Sequence, residues 1–211
     1  GSSTAFQMLV LENGQFWTIY GTPNGTSLDV KGFAQGTGTS NGSLFIAGSV
    51  RNFANPPPAL ATNAVASASY NASAKSISGT ITDSSTTSTI TSAPQSAYDY
   101  NAAADLASLA GSWTVRGQGN DQHTLTVNLD GNFSATVGSV SGCPFSGRFV
   151  PRASAKNVFN VSVTNGGSPC LNEGLPSAGV AYLVAAGAGF QLTFATLSAD
   201  RQLGAVVYGV R

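Results

Sequence analysis

Hydrophobic and polar residues alternate with a period of two over most of the chain. Leu125 and Val127 alternate with Thr124, Thr126 and Asn128; Asp130-Gly131 follows, and then Phe133, Ala135 and Val137 resume the alternation. Two such runs around Asp-Gly predict a β-hairpin with one buried face. Phe159, Val161 and Val163 repeat the pattern, as do Phe190, Leu192 and Phe194. From Trp113 onward, strands are predicted near 112–117, 122–129, 132–139, 143–150, 157–164, 177–186, 189–197 and 202–210. The short connections make successive strands antiparallel neighbours. An eight-stranded meander closes most simply into an up-and-down barrel, which leaves no exposed edge; a sandwich is the competing geometry.

The first half predicts seven shorter strands, near 6–12, 15–21, 28–36, 43–50, 63–71, 75–82 and 86–92, with Asn13-Gly14 as a hairpin turn. Pro56-Pro57-Pro58 reads as a loop or stiff spacer between the fourth and fifth. Ala93-Pro94 ends the strand pattern. The run from Asn101 to Ala110 is the one good helical stretch, with Asn101 as its N-cap. The expected class is therefore all-β with two small antiparallel domains. Residues 1–95 form a sandwich or partly open barrel, and residues 96–211 an eight-stranded up-and-down barrel, with a short helical segment at the junction. Trp17-Thr18-Ile19-Tyr20-Gly21 faintly parallels Trp113-Thr114-Val115-Arg116-Gly117, as two related β-domains would.

The inward set of the barrel is expected to include Trp113, Leu125, Val127, Phe133, Phe145, Phe149, Phe159, Val161, Phe190, Leu192 and Phe194. An interior so rich in rings is a packed core or a narrow apolar slot. If it holds a ligand, Trp113, Phe133, Phe145, Phe149, Phe159, Phe190 and Phe194 line it.

Charge narrows the functional classes. Nine Lys+Arg balance nine Asp+Glu, and charged residues make up 9% of the 211 residues, against about 25% in an average globular protein. No basic excess is available to neutralise phosphates, which argues against nucleic-acid binding. No stretch reaches the ~18–20 continuous apolar residues of a membrane helix, and the strands are short for an outer-membrane barrel. Gly1-Ser2-Ser3-Thr4 reads as the start of a processed chain, with any signal peptide or lipid-bearing cysteine upstream.

The chain has two cysteines, Cys143 and Cys170, each beside a proline. A disulfide between them implies an oxidising compartment and closes a loop worth ~3 kcal/mol in the chain-entropy estimate; two unpaired buried thiols are the alternative. The Ser-, Thr-, Asn- and Gly-rich, lysine-poor composition has the same extracytoplasmic character. Five Asn-x-Ser/Thr triplets, at Asn24, Asn41, Asn71, Asn132 and Asn160, are expected of such a composition by chance.

Candidate chemistry is sparse. Gly38-Thr39-Ser40-Asn41-Gly42 matches the nucleophile-elbow pattern but falls in a polar turn between strands, where the elbow's strand-to-helix context is missing. His123 is the one histidine, expected as a partly exposed strand-end residue beside Asp121. The carboxylates are scattered at turns, although a hydrolytic pair assembled in space, tested first at Asp99 or Asp121, stays open. Tyr98-Asp99-Tyr100 forms a polar-aromatic junction surface, a site for sugar or peptide or a linker packing against both halves. Arg116, Arg148 and Arg152 are candidates for a shared rim. Two cysteines and one histidine cannot fill a zinc site, and no cofactor is implied.

The segment Leu109-Ala110-Gly111-Ser112-Trp113-Thr114, a short helical lead-in followed by G-x-W at the first strand, resembles the opening of lipocalin-like (calycin) barrels. The layout is also similar to that of bacterial exported proteins and two-domain surface lipoproteins. The similarity is architectural; the absent catalytic constellation, the expected disulfide and the low charge point to a non-enzymatic cell-envelope protein, periplasmic, outer-membrane-anchored or secreted, that presents β-domains for binding or scaffolding. The alternatives are a carrier of a small apolar ligand inside the second barrel and a glycan-active hydrolase. The partners implied are a protein or a small apolar ligand, with no nucleic acid and no membrane contact beyond an N-terminal lipid.

Overall fold

The structure is a computed structural model and describes residues 4–54, 61–71, 73–84, 87–92, 97–117, 121–137, 142–168, 170 and 173–211. The Pro56–Pro58 spacer, Ala93-Pro94 and the expected boundary near residue 96 lie outside the described residues.

The first half contributes β1 (Ala5–Val10), β2 (Gln15–Asn24), β3 (Ser27–Thr37), β4 (Thr39–Asn41), β5 (Leu44–Ala54), β6 (Thr62–Asn71), β7 (Ser76–Asp83) and β8 (Thr87–Thr91). They form one antiparallel sheet in the order β1-β2-β3-β5-β6-β7-β8, with β4 paired to β5. Gly14, at φ 79°, makes the β1–β2 turn that Asn13-Gly14 predicts. Register shifts between Tyr20 and Gly21 and between Ala47 and Val50 interrupt the pairing, and such bulges bend a sheet. The bend is large. Met8 on β1 and Ile81 on β7 pack against one cluster with Phe16, Phe45 and Val50, so the sheet curls over that face into a half-barrel.

The second half contributes β9 (Gly111–Arg116), β10 (Gln122–Val127), β11 (Asn132–Val137), β12 (Phe145–Pro151), β13 (Phe159–Asn165), β14 (Pro176–Ala186), β15 (Gly189–Leu197) and β16 (Gly204–Val210). Each pairs antiparallel with the next, and β16 returns to β9, which closes an eight-stranded up-and-down barrel. Gly131, at φ 84°, supports the expected Asp-Gly turn between β10 and β11. All of the expected inward residues except Phe190 belong to the barrel's inner cluster.

The outer face of the half-barrel packs on the outer wall of the closed barrel. Leu9, Trp17, Ile19, Leu28, Val30, Phe33 and Phe53 meet Val158, Val180, Tyr182, Val184, Ala195, Leu197 and Val206 in one buried cluster. Strands β14 to β16 are thus covered on both faces, which accounts for near-continuous apolar runs such as Val180–Ala186 in place of alternation. Polar bonds cross the same interface. Gln191, 1% exposed, donates Nε2 to the Leu28 carbonyl at 2.8 Å and accepts the Leu28 N–H at 3.1 Å. Tyr182 donates to Gln7 and Tyr208 to Asp29, each at 2.7 Å. The Tyr208 hydroxyl is pushed up to about 12 by burial and by its bond to the Asp29 carboxylate. Gly204 permits the closest approach: a Cβ there would lie 2.7 Å from the Phe33 ring and 2.9 Å from that of Phe53.

The junction differs from expectation. The helix expected over residues 101–110 is a single 3-10 turn, Leu106–Ser108, capped by Asp105 rather than Asn101. Residues 97–101 are held in a non-helical path by long-range bonds: Ala185 N–H to Ala97 O, Asn157 N–H to Tyr100 O, and Asn157 Nδ2 to Asp99 O. Tertiary contacts override the helix propensity of an alanine-rich segment.

Candidate functional site

The meander gives the barrel two unlike ends. At one end, the 3-10 segment acts as a plug. Leu109 is fully buried in the barrel's inner cluster, with Ala104 and Leu106 packed against it. Trp113 Nε1 donates to Leu109 O at 2.7 Å. The Arg211 guanidinium lies 4.2 Å from the Trp113 ring centroid and donates to Ala110 O at 2.6 Å and Ser108 O at 3.1 Å. Arg211 therefore ties the plug to the first barrel strand.

Rings fill the interior. Phe133, Phe149 and Phe194 contact one another with centroids 4.5–5.9 Å apart, Phe145 adjoins Phe133 and Phe194, and Phe159 adjoins Phe149. Six of the seven expected lining residues are thus brought together, as a packed core. The exception is Phe190, which is 45% exposed. It shares the parity of Leu192 and Phe194 but sits at the start of β15, on the rim beyond the plug.

At the open end, the interior leaves a cleft of about 70 Å³, floored by Phe145, Val163, Phe194 and Val207 and edged by Ser177 and Thr196, whose hydroxyls are hydrogen-bonded. A dry cavity that binds benzene is roughly twice that size. Cys143 and Cys170, joined as a disulfide, link the loop before β12 to the loop before β14 at this end. Such a pairing is consistent with an oxidising environment.

His123 also faces the interior at the open end. Contrary to the expected partial exposure, it is 5% exposed, with its ring 5.4 Å from Phe145. Among the described residues its Nδ1 has no hydrogen-bond partner. Burial pushes the imidazole below its usual value, while Asp121 pulls it back up. The neutral form is the one the fold accommodates. At pH values below the usual 6.5 the unfolded chain takes up the proton and the folded chain resists it, so His123 withdraws stability as pH falls through that window. Thermal midpoints measured at pH 7.5 and pH 5 are expected to drop more for the native chain than for His123→Leu. Equal drops would show that the imidazole is indifferent to its site.

The larger cleft, about 230 Å³, lies at the plugged end, under the 97–108 segment. Its floor is Leu183, Ala185 and Phe190; Asp99, Asp105, Ser108 and Asn157 supply polar walls. Asp99 Oδ1 accepts the Asn101 N–H at 3.0 Å, and Asp105 Oδ1 the Ala107 N–H at 2.9 Å. Among the described residues the second oxygen of each makes no hydrogen bond. Tyr98 packs edge-on to Tyr182, 5.9 Å away, and donates its hydroxyl to Asn157 O; burial pushes that hydroxyl far above its ordinary range. Tyr100 joins the shared cluster between the halves. The two tyrosines pack against the cluster shared by both halves, and Tyr98 and Asp99 line a cleft.

Comparison with known families, curated proteins and solved structures found no match.

The other candidates separate. Asp121 precedes β10 at the open end and Asp99 lies at the plugged end, so they cannot form one carboxylate pair. Arg116 ends β9 at the open end, whereas Arg152 follows β12 at the other and pairs with Glu12 at 2.7 Å, so the three arginines share no rim. Ser40 sits in β4, in a β-hairpin rather than a nucleophile elbow. Among the described residues no three His, Cys, Asp or Glu side chains converge on a metal site. Sequence reasoning missed Asp105, Asn157 and Arg211, whose roles come from chain segments far apart in sequence.

Proposed function

We propose that the chain is a non-enzymatic, extracytoplasmic binding protein of calycin-like plan, and that it binds through the plugged end of the barrel rather than through its interior. The observation that carries this reading is the contrast between the two clefts. The interior is filled by rings down to a 70 Å³ mouth, while the 230 Å³ junction cleft joins an apolar floor to polar side chains from the 97–108 segment and the turn before β13. Binding sites commonly combine an apolar surface with a few convergent polar groups. The disulfide and the low charge support an exported location, as a periplasmic, secreted or lipid-anchored protein.

The carrier reading has the open mouth in its favour, and the two are separated by where small probes act. Backbone amide spectra recorded with a panel of sugars, amines and short fatty acids are expected to shift at residues 97–108, 157 and 183–190. Shifts confined to Phe145, Val163, Phe194 and Val207 would favour the carrier instead.

A further inference from the structure

We infer that the junction cleft takes one ring of a neutral saccharide, an inference that rests on the proposed binding role of this face. A sugar ring has apolar C–H faces and hydroxyl-bearing edges. The cleft matches both. Phe190, 45% exposed on the rim, offers an aromatic face beside the Leu183 side chain, and ring faces attract the slightly positive C–H groups of a sugar. Opposite that floor, Asp99, Asp105, Ser108 and Asn157 present oxygen atoms and an amide. Carboxylate oxygens are strong acceptors for hydroxyl donors.

Local structure holds these groups in place. Asp99 and Asp105 are each fixed through one oxygen to a backbone N–H, and Asn157 is fixed through Nδ2 to Asp99 O at 3.1 Å. Preorganised acceptors avoid the ordering cost that a mobile loop would add to binding. The volume, about 230 Å³, suits one ring and lies below the ~300 Å³ lower bound for drug-sized ligands.

Charge selects a neutral ligand. Two carboxylates on the wall disfavour phosphates, carboxylates and acidic sugars. Positive charge beside the walls offsets part of the pull that the carboxylates exert on an organic cation, the competing ligand that the test includes. Lys156 Nζ donates to Asn101 Oδ1 at 2.9 Å, and Arg211 donates to Ser108 O at 3.1 Å. An aliphatic chain would leave the wall acceptors buried without donors.

The test is amide and saturation-transfer spectroscopy on the intact chain with methyl glucoside, methyl galactoside and methyl mannoside, alongside methyl glucuronide and butylammonium. At least one neutral glycoside is expected to shift Ser108, Asn157 and Phe190 with weak affinity. Phe190→Ala is expected to lower that affinity about tenfold, the scale of one aromatic contact, and Phe190→Tyr to retain it. Phe190 is 45% exposed, so the alanine variant is expected to fold, and the thermal midpoints of both variants are read alongside binding. Glycoside binding unchanged by Phe190→Ala overturns the inference. Binding of butylammonium or the glucuronide at these residues, with no neutral glycoside, overturns the saccharide class and leaves the binding face standing. Silence of these residues towards every probe overturns both.

Discussion

Replacing Phe33 with alanine is expected to unfold both halves together, at a cost of about 3–5 kcal/mol, the range for removing a buried phenylalanine. That is a large part of the ~5–15 kcal/mol that holds a typical domain folded. Phe33 is fully buried and stacks between Phe53 and Trp17, with centroids 4.7 Å and 6.0 Å away. Its ring also fills the space left by Gly204 on β16. Two hydrogen-bonded sheets border the resulting cavity, and neither can collapse into it without breaking its own register. The chain supplies one reporter for each half. Trp17 lies in the interface and Trp113 inside the barrel. Trp17→Phe leaves Trp113 as the barrel reporter and breaks no side-chain hydrogen bond among the described residues, where Trp17 Nε1 is buried without a partner. Trp113→Phe leaves Trp17 to report on the half-barrel. In each single-tryptophan protein the fluorescence and circular-dichroism urea curves are expected to superimpose, and Phe33→Ala to shift the midpoint of each by the same amount relative to its own parent. A circular-dichroism curve in two steps, only one of which the tryptophan follows, would make the halves independent units and reduce the interface to a docking contact.

How much of this was legible in advance depends on which faces water touches. Strands β10 to β13 each have one wet face, and His123, Leu125 and Val127 alternate with exposed neighbours along β10. The barrel and its inward set follow from that alternation. The same alternation places His123 inside, on the parity of Leu125; the generic expectation for a strand-end histidine masked it. Phe190 shows the converse limit. Parity assigns a face but not a depth, and the stagger of β15 carries Phe190 past the rim. Strand β14 lost its alternation because the half-barrel dries its outer face, while β15 keeps Gln191 and Thr193 between its inward residues, and nothing local announces a second sheet. The disulfide was readable from the lysine-poor, Ser-, Thr- and Asn-rich composition around two cysteines, and the meander supplies the geometry by bringing the β11–β12 and β13–β14 loops to the same end. The junction cleft was half readable. Tyr98 and Asp99 stand together in the chain, but Asn157, Leu183 and Phe190 arrive from elsewhere, and residues 97–105 take their path from bonds to β14 and to the turn before β13 rather than from their own propensity.

Trp113→Ala is expected to be the second severe substitution, because it removes a core ring and the fastening of the plug at once. The side chain is 1% exposed, and its loss alone falls in the range of about 3–5 kcal/mol. The truncation also leaves the Leu109 carbonyl without its indole donor and the Arg211 guanidinium without its aromatic face. Two milder variants divide these effects. Trp113→Phe keeps most of the packing and loses the hydrogen bond, a net change of about 1 kcal/mol plus the burden of a buried carbonyl left unpaired. Arg211→Ala keeps the ring and loses the cation–π contact, about 0.5–2 kcal/mol, together with the bonds to Ala110 and Ser108. The expected order of destabilisation is therefore Trp113→Ala well above Trp113→Phe and Arg211→Ala. Hydrogen exchange locates the damage: in Arg211→Ala, protection should fall at Leu109, Ala110 and the end of β16 while β12 and β13 stay protected. If Arg211→Ala instead lowers protection evenly around the barrel, the plug is not a separate closure, and the arginine belongs to the global core. Because Ser108 and Asp105 form part of the wall above Phe190, a loosened plug should also weaken any ligand of the junction cleft without Arg211 touching it. The same variant then couples the stability of the barrel end to binding at its rim.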